Sequence, residues 1–111
     1  MGVDLTIVVA KWEREGMPLL AYSRMTTDRD YTLHDAVNSL ALRKLPSTMQ
    51  WYGDEGIKDT AEDAYGGELM YTFADNLSTC FLDQCRSEWN QAIGAMLAKL
   101  PKETKIVLYW H

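Results

Sequence analysis

The segment from Leu5 to Trp12, LTIVVAKW, decides the fold because its centre is apolar and β-branched on both faces. A strand with that pattern is typical of the interior of a sheet. The segment from Thr104 to His111, TKIVLYWH, has the same character at the other end of the chain. The sequence therefore predicts that strands from both ends of the chain belong to one sheet.

Further elements follow between these strands from apolar periodicity and turn residues. A second strand, Leu19–Arg24, comes after the polar Glu13–Gly16 break and forms a hairpin with the first. The remaining elements are, in order, a helix from Tyr31, short strands over Met49–Tyr52 and Leu69–Tyr71, a helix from Thr72 and a helix over Trp89–Leu100. This order predicts a single α+β domain, residues 1–111, with a mixed β-sheet of about four to five strands and two to three helices packed on one side.

Local signals predict how each helix begins and which face it buries. Thr32 is expected to cap the first helix together with Asp35, and Thr72 with Asp75 repeats this pattern in the second. Apolar residues at helical spacing mark the buried face of the third helix: Trp89, Ile93, Met96, Leu97 and Leu100. Asn90 is expected on the polar side of that helix.

The balance of charge disfavours two classes of partner. The chain carries 16 acidic and 11 basic side chains, which gives a net charge of −5. Nonspecific binding to nucleic acids or to anionic membranes needs a cationic surface. No apolar run is long enough to span a bilayer, and the beginning of the chain lacks the pattern of a signal peptide. The sequence therefore predicts a cytoplasmic protein without direct nucleic-acid or membrane binding.

The sequence contains no catalytic or metal-binding signature. Cys80 and Cys85 lie five residues apart in one helix, a spacing that does not favour a disulfide, and are expected to be partly buried thiols. His34, in a first helical turn, is expected to be a partly exposed surface residue. His111 is expected to be an exposed end of a strand, with ligand binding by its imidazole and the α-carboxylate as the alternative. Zinc-ligand spacings and nucleophile motifs do not occur. No catalytic residue, metal or cofactor is therefore predicted.

The segment from Trp51 to Tyr71, WYGDEGIKDTAEDAYGGELMY, differs from the rest of the chain. It combines aromatic and acidic residues with four glycines, without helical or alternating periodicity. Long irregular loops in small domains are commonly functional, and Tyr and Trp beside Gly are typical of contact surfaces. The sequence therefore predicts a binding surface made of Trp51, Tyr52, Asp54, Glu55, Asp59, Glu62, Asp63, Tyr65 and Tyr71.

Known ion-binding and phosphate-binding motifs do not fit this segment. Counted from Asp54, the third and fifth positions are Gly56 and Lys58, so the EF-hand pattern fails. The Gly66-Gly67 pair is followed by a glutamate, unlike the glycines of phosphate-binding loops. A nucleotide ligand would need cations near the aromatic residues. The candidates are Arg24, Arg29 and Lys58.

Three stretches in the C-terminal half carry a resemblance. They are Trp51–Gly56, WYGDEG; Asp63–Gly66 followed by Leu69 and Tyr71; and the ending from Leu100-Pro101 to Leu108-Tyr109-Trp110-His111. In these stretches the chain resembles small uncharacterised proteins of bacteriophages and prophage-bearing bacteria. The resemblance implies a compact accessory protein of a mobile element that acts on a component of the bacterial host, in the host cytoplasm. Phage proteins of this size commonly inhibit host enzymes or defence systems by binding them, and some sequester nucleotide signals.

Three functions are left open. The first is a non-enzymatic binding protein, an inhibitor of a host defence protein that acts through the acidic-aromatic segment Trp51–Tyr71. The alternative is a small-molecule binding protein, such as a sponge for a nucleotide signal, with a pocket where aromatic residues meet Arg24, Arg29 or Lys58. The third is a small carboxylate-dependent enzyme. Under each of them, apolar edge strands favour a homodimer.

Overall fold

The computed structural model describes residues 3–11, 19–45, 48–53 and 56–111. These residues form seven strands and three helices: β1 Leu5–Lys11, β2 Leu19–Thr26, α1 Tyr31–Asn38, β3 Arg43–Lys44, β4 Met49–Gly53, β5 Gly56–Thr60, β6 Met70–Phe73, α2 Ala74–Gln84, α3 Glu88–Lys99 and β7 Lys105–Trp110. The predicted α+β class is confirmed. None of the described helices is long and apolar enough to cross a membrane.

The strands form one sheet in the order β3-β6-β7-β1-β2-β4-β5. Its interior includes β1 and β7, the two segments with apolar residues on both faces, and Leu5 to Ala10 of β1 pair with the whole of β7. The sheet is mixed because β2 and β4 are parallel, while the other pairs are antiparallel. It has seven strands where four to five were predicted. The additional strands are β3, with two residues, and β5, which lies inside the segment predicted to be a loop.

All three helices contribute to a hydrophobic core on one face of the sheet. This core joins sheet residues such as Leu5 and Ile106 to helical residues such as Leu33, Phe81 and Leu97, each of which is fully buried. Cys80 and Cys85 are buried in the same core as free thiols, as predicted. Burial raises the pKa of both thiols, that of Cys85 to about 11. Both cysteines therefore remain protonated at neutral pH and are poor nucleophiles.

A second, smaller core covers the opposite face of the sheet. Val8 and Val107 are fully buried there under Met49, the first residue of β4, and Leu69, the residue just before β6. Residues 61–69 lead back from β5 to β6, and Glu62 forms a β-bridge with Glu68. The second face is therefore partly covered by the chain between β4 and β6.

The caps of the helices differ from those predicted. Asp30, rather than Thr32, caps α1, and its Oδ1 accepts hydrogen bonds from the backbone N–H groups of Thr32 and Leu33. The first helical turn therefore begins two residues earlier than a cap at Thr32 implied. Helix α2 has no side-chain cap, because it follows β6 directly from the extended residue Phe73. The Ala74 N–H at its start donates instead to the carbonyl oxygen of Thr104.

The start of α3 also departs from the predicted apolar stripe. Ile93 and Leu97 are buried as predicted, but Trp89 is 49% exposed, and Asn90 is completely buried. Asn90 binds both backbone polar groups of Asp28, since its Oδ1 accepts from the Asp28 N–H at 2.7 Å and its Nδ2 donates to the Asp28 carbonyl oxygen at 2.9 Å. The helix begins against a loop with exposed peptide groups, so a polar side chain is buried at this position.

Candidate functional site

The segment predicted to be an irregular loop contains a regular hairpin. Strands β4 and β5 are antiparallel, with Trp51 opposite Lys58 and Tyr52 opposite Ile57. The prediction of a long loop was wrong here because the hairpin has little alternation of apolar and polar residues. Its β5 strand is almost entirely exposed, so no buried face produces such alternation.

A compact turn follows the hairpin. The Oδ1 atom of Asp63 accepts hydrogen bonds from the backbone N–H groups of Tyr65 and Gly67, at 2.9 and 3.0 Å. Gly66 has a φ of +79°, a conformation that favours glycine. The Ala64 N–H donates to the carbonyl oxygen of Trp110, which fixes the turn beside the end of β7. Asp63 therefore organises the turn, and Tyr65 is presented on it with 61% of its surface exposed.

The structure separates the nine predicted binding residues into several environments. Tyr71 is buried in the second core, and Trp51 is half-buried beside it. Asp59, Glu62 and Tyr65 are exposed. Asp54 and Glu55, with the side chain of Tyr52, lie outside the described residues. The described members therefore do not form one continuous surface, and Trp51 belongs to a different site.

Trp51 lines a pocket of about 420 Å³ on the second face of the sheet. Its lining residues are Thr6, Arg24, Thr26, Trp51, Tyr109 and His111. Thr6 lies near the start of β1, Arg24 and Thr26 near the end of β2, and Tyr109 near the end of β7, which His111 follows directly. Strand β4 pairs with β2 only at Met49 and Gln50, so after Gln50 it leans over the sheet. This brings Trp51 across to Tyr109 on β7, and we call the site the Arg24 pocket.

The guanidinium group of Arg24 lies against the aromatic wall of its pocket. The rings of Trp51 and Tyr109 meet at a centroid distance of 4.9 Å and an angle of 61°. The guanidinium carbon of Arg24 lies 5.2 Å from the centre of the Trp51 ring, within cation–π distance. Among the described residues, Arg24 has no carboxylate within ion-pair distance. Its positive charge is therefore positioned by stacking and is not neutralised by the described chain.

Another part of the pocket wall consists of Thr26, Thr6 and His111, whose side chains are linked by hydrogen bonds. The hydroxyl oxygens of Thr26 and Thr6 are 2.8 Å apart, and the Thr6 hydroxyl oxygen is 2.7 Å from Nε2 of His111. The His111 ring lies 5.9 Å from the Tyr109 ring, tilted by 32°. The sequence suggested an exposed position for His111, but the structure holds it half-buried against Thr6. Because Thr6 is 7% exposed and also bonded to Thr26, its hydroxyl is poorly placed to attack a substrate.

The three cations named from the sequence have different positions. Arg24 lines the pocket, and Lys58 lies opposite Trp51 on the neighbouring strand. Arg29 instead forms two hydrogen bonds to the carboxylate of Asp4, at 3.1 and 3.0 Å. The bond from Arg29 lowers the pKa of Asp4 below its usual value. Arg29 is therefore engaged in a structural ion pair.

His34 lies in a separate cavity of about 360 Å³, lined also by Val3, Tyr31, Asn38 and Trp110. It was predicted to be partly exposed, but it is 6% exposed because the rings of Tyr31 and Trp110 contact it edge to face. Its Nε2 has no hydrogen-bond partner among the described residues. Burial lowers the pKa of His34, so the imidazole is neutral at pH 7. A neutral ring is consistent with its position between two aromatic side chains.

A larger cavity of about 530 Å³ lies at the other end of the sheet. It is lined by residues of β1 and of the connection from α3 to β7: Val9, Ala10, Lys11, Pro101, Glu103, Thr104 and Lys105. The described residues contain no group of three or more His, Cys, Asp or Glu side chains that could hold a metal ion.

Most of the Arg24 pocket was not predicted from the sequence. Thr6, Thr26 and Tyr109 were not singled out, and Arg24 was named only as a source of positive charge. One signal was present, because Thr6 and Tyr109 fall on the polar or amphipathic positions of two otherwise apolar strands. In the sheet these two residues are directly opposite each other. No family model, curated protein or solved structure matches the chain.

Proposed function

We propose that this protein is a non-enzymatic binding protein that holds a planar, negatively charged small molecule in the Arg24 pocket. The observation that carries this proposal is the guanidinium of Arg24 on the face of Trp51, which forms no ion pair with any described residue. In a chain with a net charge of −5, carboxylates are abundant, yet no described carboxylate reaches this cation. An arginine held by stacking keeps its N–H donors available for an anion.

The other pocket residues support a nucleotide as the class of ligand. Trp51 and Tyr109 offer aromatic surface to a base, on which stacking is favourable for every base. Thr26 and His111 carry groups that can exchange hydrogen bonds with sugar hydroxyls or the edge of a base. A volume of about 420 Å³ lies within the range of small-molecule sites. Arg24 would bind the phosphate.

The resemblance to phage and prophage proteins gives this binding a biological setting. A small protein that holds a nucleotide without converting it lowers the concentration of the free nucleotide. In an infected bacterium, such a protein would act as a sponge for a nucleotide signal of the host. No chemical step on the ligand is needed for this function.

Replacing Arg24 with glutamine tests the proposal. We expect roughly tenfold to 100-fold weaker nucleotide binding, because the variant loses the charge-assisted hydrogen bonds and the cation–π contact. A panel of mononucleotides and cyclic dinucleotides is first screened by the rise in melting temperature of the wild-type protein. The affinity of the best ligand is then measured by calorimetry for the wild type and the variant.

Arg43 provides a matched control for this measurement. Its guanidinium carbon lies 5.3 Å from the centre of the Phe73 ring, so Arg43→Gln removes a similar contact away from the Arg24 pocket. We expect Arg43→Gln to bind the nucleotide like the wild type. The proposal fails if no nucleotide raises the melting temperature, or if Arg24→Gln and Arg43→Gln bind the ligand equally well.

A second candidate function is contact with a host protein, as the acidic-aromatic segment suggested. The observation in its favour is Tyr65, an exposed aromatic side chain on a turn that Asp63 holds in one conformation. Such a residue provides contact area at a low cost in conformational entropy. Asp59 and Glu62 are also exposed, and neither has an ion-pair partner among the described residues. These features fit a partner with a basic surface.

Tyr65→Ala separates this candidate from the first. If the turn is an interface, a host protein retained by the immobilised wild type will be lost from Tyr65→Ala, while nucleotide binding is unchanged. Leu82→Ala is the control, because Leu82 is an apolar side chain with 43% exposure on α2. If Tyr65→Ala retains the same host protein, the turn is not the interface.

A further inference from the structure

Strand β5 brings a second cation to the side of the Arg24 pocket. Lys58 is directly opposite Trp51 across the hairpin of β4 and β5. Directly opposed residues of an antiparallel pair have Cβ atoms about 4.5–5.5 Å apart, and their side chains lie on the same face. Trp51 faces the pocket, where its ring contacts Arg24 and Tyr109. The side chain of Lys58 therefore lies on the pocket side of the hairpin, next to Trp51.

The charges of β5 are divided between the two faces of the hairpin. Neighbouring residues of a strand face opposite ways, so Ile57 and Asp59 lie on the face away from Lys58. The carboxylate of Asp59 is therefore directed away from the pocket. Lys58 is exposed and forms no ion pair with any described residue. In the described part of the hairpin, the pocket side thus carries a positive charge and no carboxylate.

We infer that Arg24 and Lys58 together bind a nucleotide that carries two phosphate groups. This inference rests on the proposed function of the Arg24 pocket and adds the class of nucleotide to it. The guanidinium carbon of Arg24 lies 5.2 Å from the centre of the Trp51 ring, and Lys58 is beside the same residue on the next strand. One phosphate contacts the guanidinium group, and the other contacts the ammonium group on its long, flexible side chain.

Two cations at separate positions favour two phosphates over one. Arg24 belongs to β2 and Lys58 to β5, the strands on either side of β4 in the sheet. A single phosphate can be bound by Arg24 alone. A second phosphate adds negative charge beside a protein with a net charge of −5, which opposes binding unless another cation is close. Lys58 provides that opposite charge on the other side of Trp51.

Calorimetry with AMP and ADP tests the role of Lys58. We expect the wild-type protein to bind ADP about tenfold more tightly than AMP, because the second phosphate gains a charge-assisted contact. Lys58→Gln should bind ADP roughly tenfold more weakly than the wild type and AMP less than about threefold more weakly. Lys58→Arg keeps the positive charge, so its affinity for ADP should stay within about threefold of the wild-type value.

Lys102→Gln is the matched control for the change in net charge. Lys102 is an exposed lysine in the connection from α3 to β7, at the other end of the sheet from the Arg24 pocket. Its replacement removes the same charge without touching the pocket. We expect Lys102→Gln to bind ADP within about twofold of the wild-type affinity, because exposed charges at this separation are screened by salt.

The outcomes separate this inference from the proposed function. The inference is wrong if the wild type binds ADP no more tightly than AMP, or if Lys58→Gln and Lys102→Gln have equal affinities for ADP. The proposed function survives either result as long as Arg24→Gln weakens nucleotide binding. If no nucleotide of the panel binds the wild type, the proposed function and the inference both fail.

Discussion

Replacing Asn90 with alanine is expected to lower the free energy of unfolding by about 3 kcal/mol, although the sequence places Asn90 among polar helix residues. The side chain is fully buried, and it binds both the N–H and the carbonyl oxygen of Asp28. Alanine leaves both of these backbone groups without their partner. Each of the two hydrogen bonds contributes roughly 0.5–1.5 kcal/mol, and the space that the smaller side chain leaves at a completely buried position adds to their loss.

The effect should extend to the loop that contains Asp28. Arg29 and Asp30, which follow it, bind Asp4 and cap α1. Asn90 therefore helps to position the residues that connect β2 to the first helix. Loss of this anchor should make the amide of Asp28 exchange faster with solvent deuterium than in the wild type, as an opened hydrogen bond does.

Urea denaturation provides the measurement, and Asn76→Ala provides the control. Asn76 is an exposed asparagine of α2, so its replacement should change the free energy of unfolding by less than about 0.5 kcal/mol. The higher helix propensity of alanine affects both variants. The difference between their free energies of unfolding therefore reports the loss of the Asn90 hydrogen bonds. Equal unfolding midpoints for the two variants would contradict the structural role of Asn90.

Gly94→Val is expected to cost about 3 kcal/mol, at the upper end of the range for overpacking a core. Gly94 is buried where α3 crosses α2, and a Cβ at this position would lie 2.7 Å from the Cβ of Phe81 and 3.1 Å from Cγ of Leu82. The Cβ of Phe81 is attached directly to the backbone, so it cannot move without moving α2. The two helices would have to separate, which loosens the core around Phe81.

Ala95→Val is the matched control for this prediction. Ala95 is the next residue of the same helix and is exposed, so Ala95→Val introduces the same β-branched side chain into α3 without the contact to Phe81. Because valine has a higher helix propensity than glycine and a lower one than alanine, propensity alone would make Gly94→Val the less damaging of the two variants. We expect the control to lose only a few tenths of a kcal/mol in the same urea titration. If Gly94→Val unfolds at the same urea concentration as Ala95→Val, the close crossing of α2 and α3 is wrong.

The architecture was largely predictable because it depends on patterns within short segments. The β-branched segment from Leu5 to Lys11 needs cover on both faces, and its placement between β7 and β2 provides that cover. Helical spacing of apolar residues likewise identified Ile93 and Leu97 as core residues. In each of these cases, the spacing of the buried residues can be read directly from the sequence.

The polar anchors and the hairpin were harder to predict for a physical reason. A buried asparagine has the same sequence signature as an exposed one, and Asn90 is buried because its side chain binds both backbone polar groups of Asp28. Strand β5 lacks alternation because it has no buried face. The buried position of His34 similarly depends on Trp110, which is distant in sequence. Such positions are determined by contacts between segments.

By itself, the sequence determined an α+β protein with helices on one side of a mixed sheet, and it identified Trp51 and Arg24 as residues of interest. Only the tertiary structure placed the Arg24 guanidinium on the Trp51 ring and closed the pocket with Thr6, Tyr109 and His111. The reason is that fold class follows from local periodicity, which the order of residues encodes directly. The pocket depends on how far β4 leans across β1 and β7, and only the packing of the whole sheet sets that geometry.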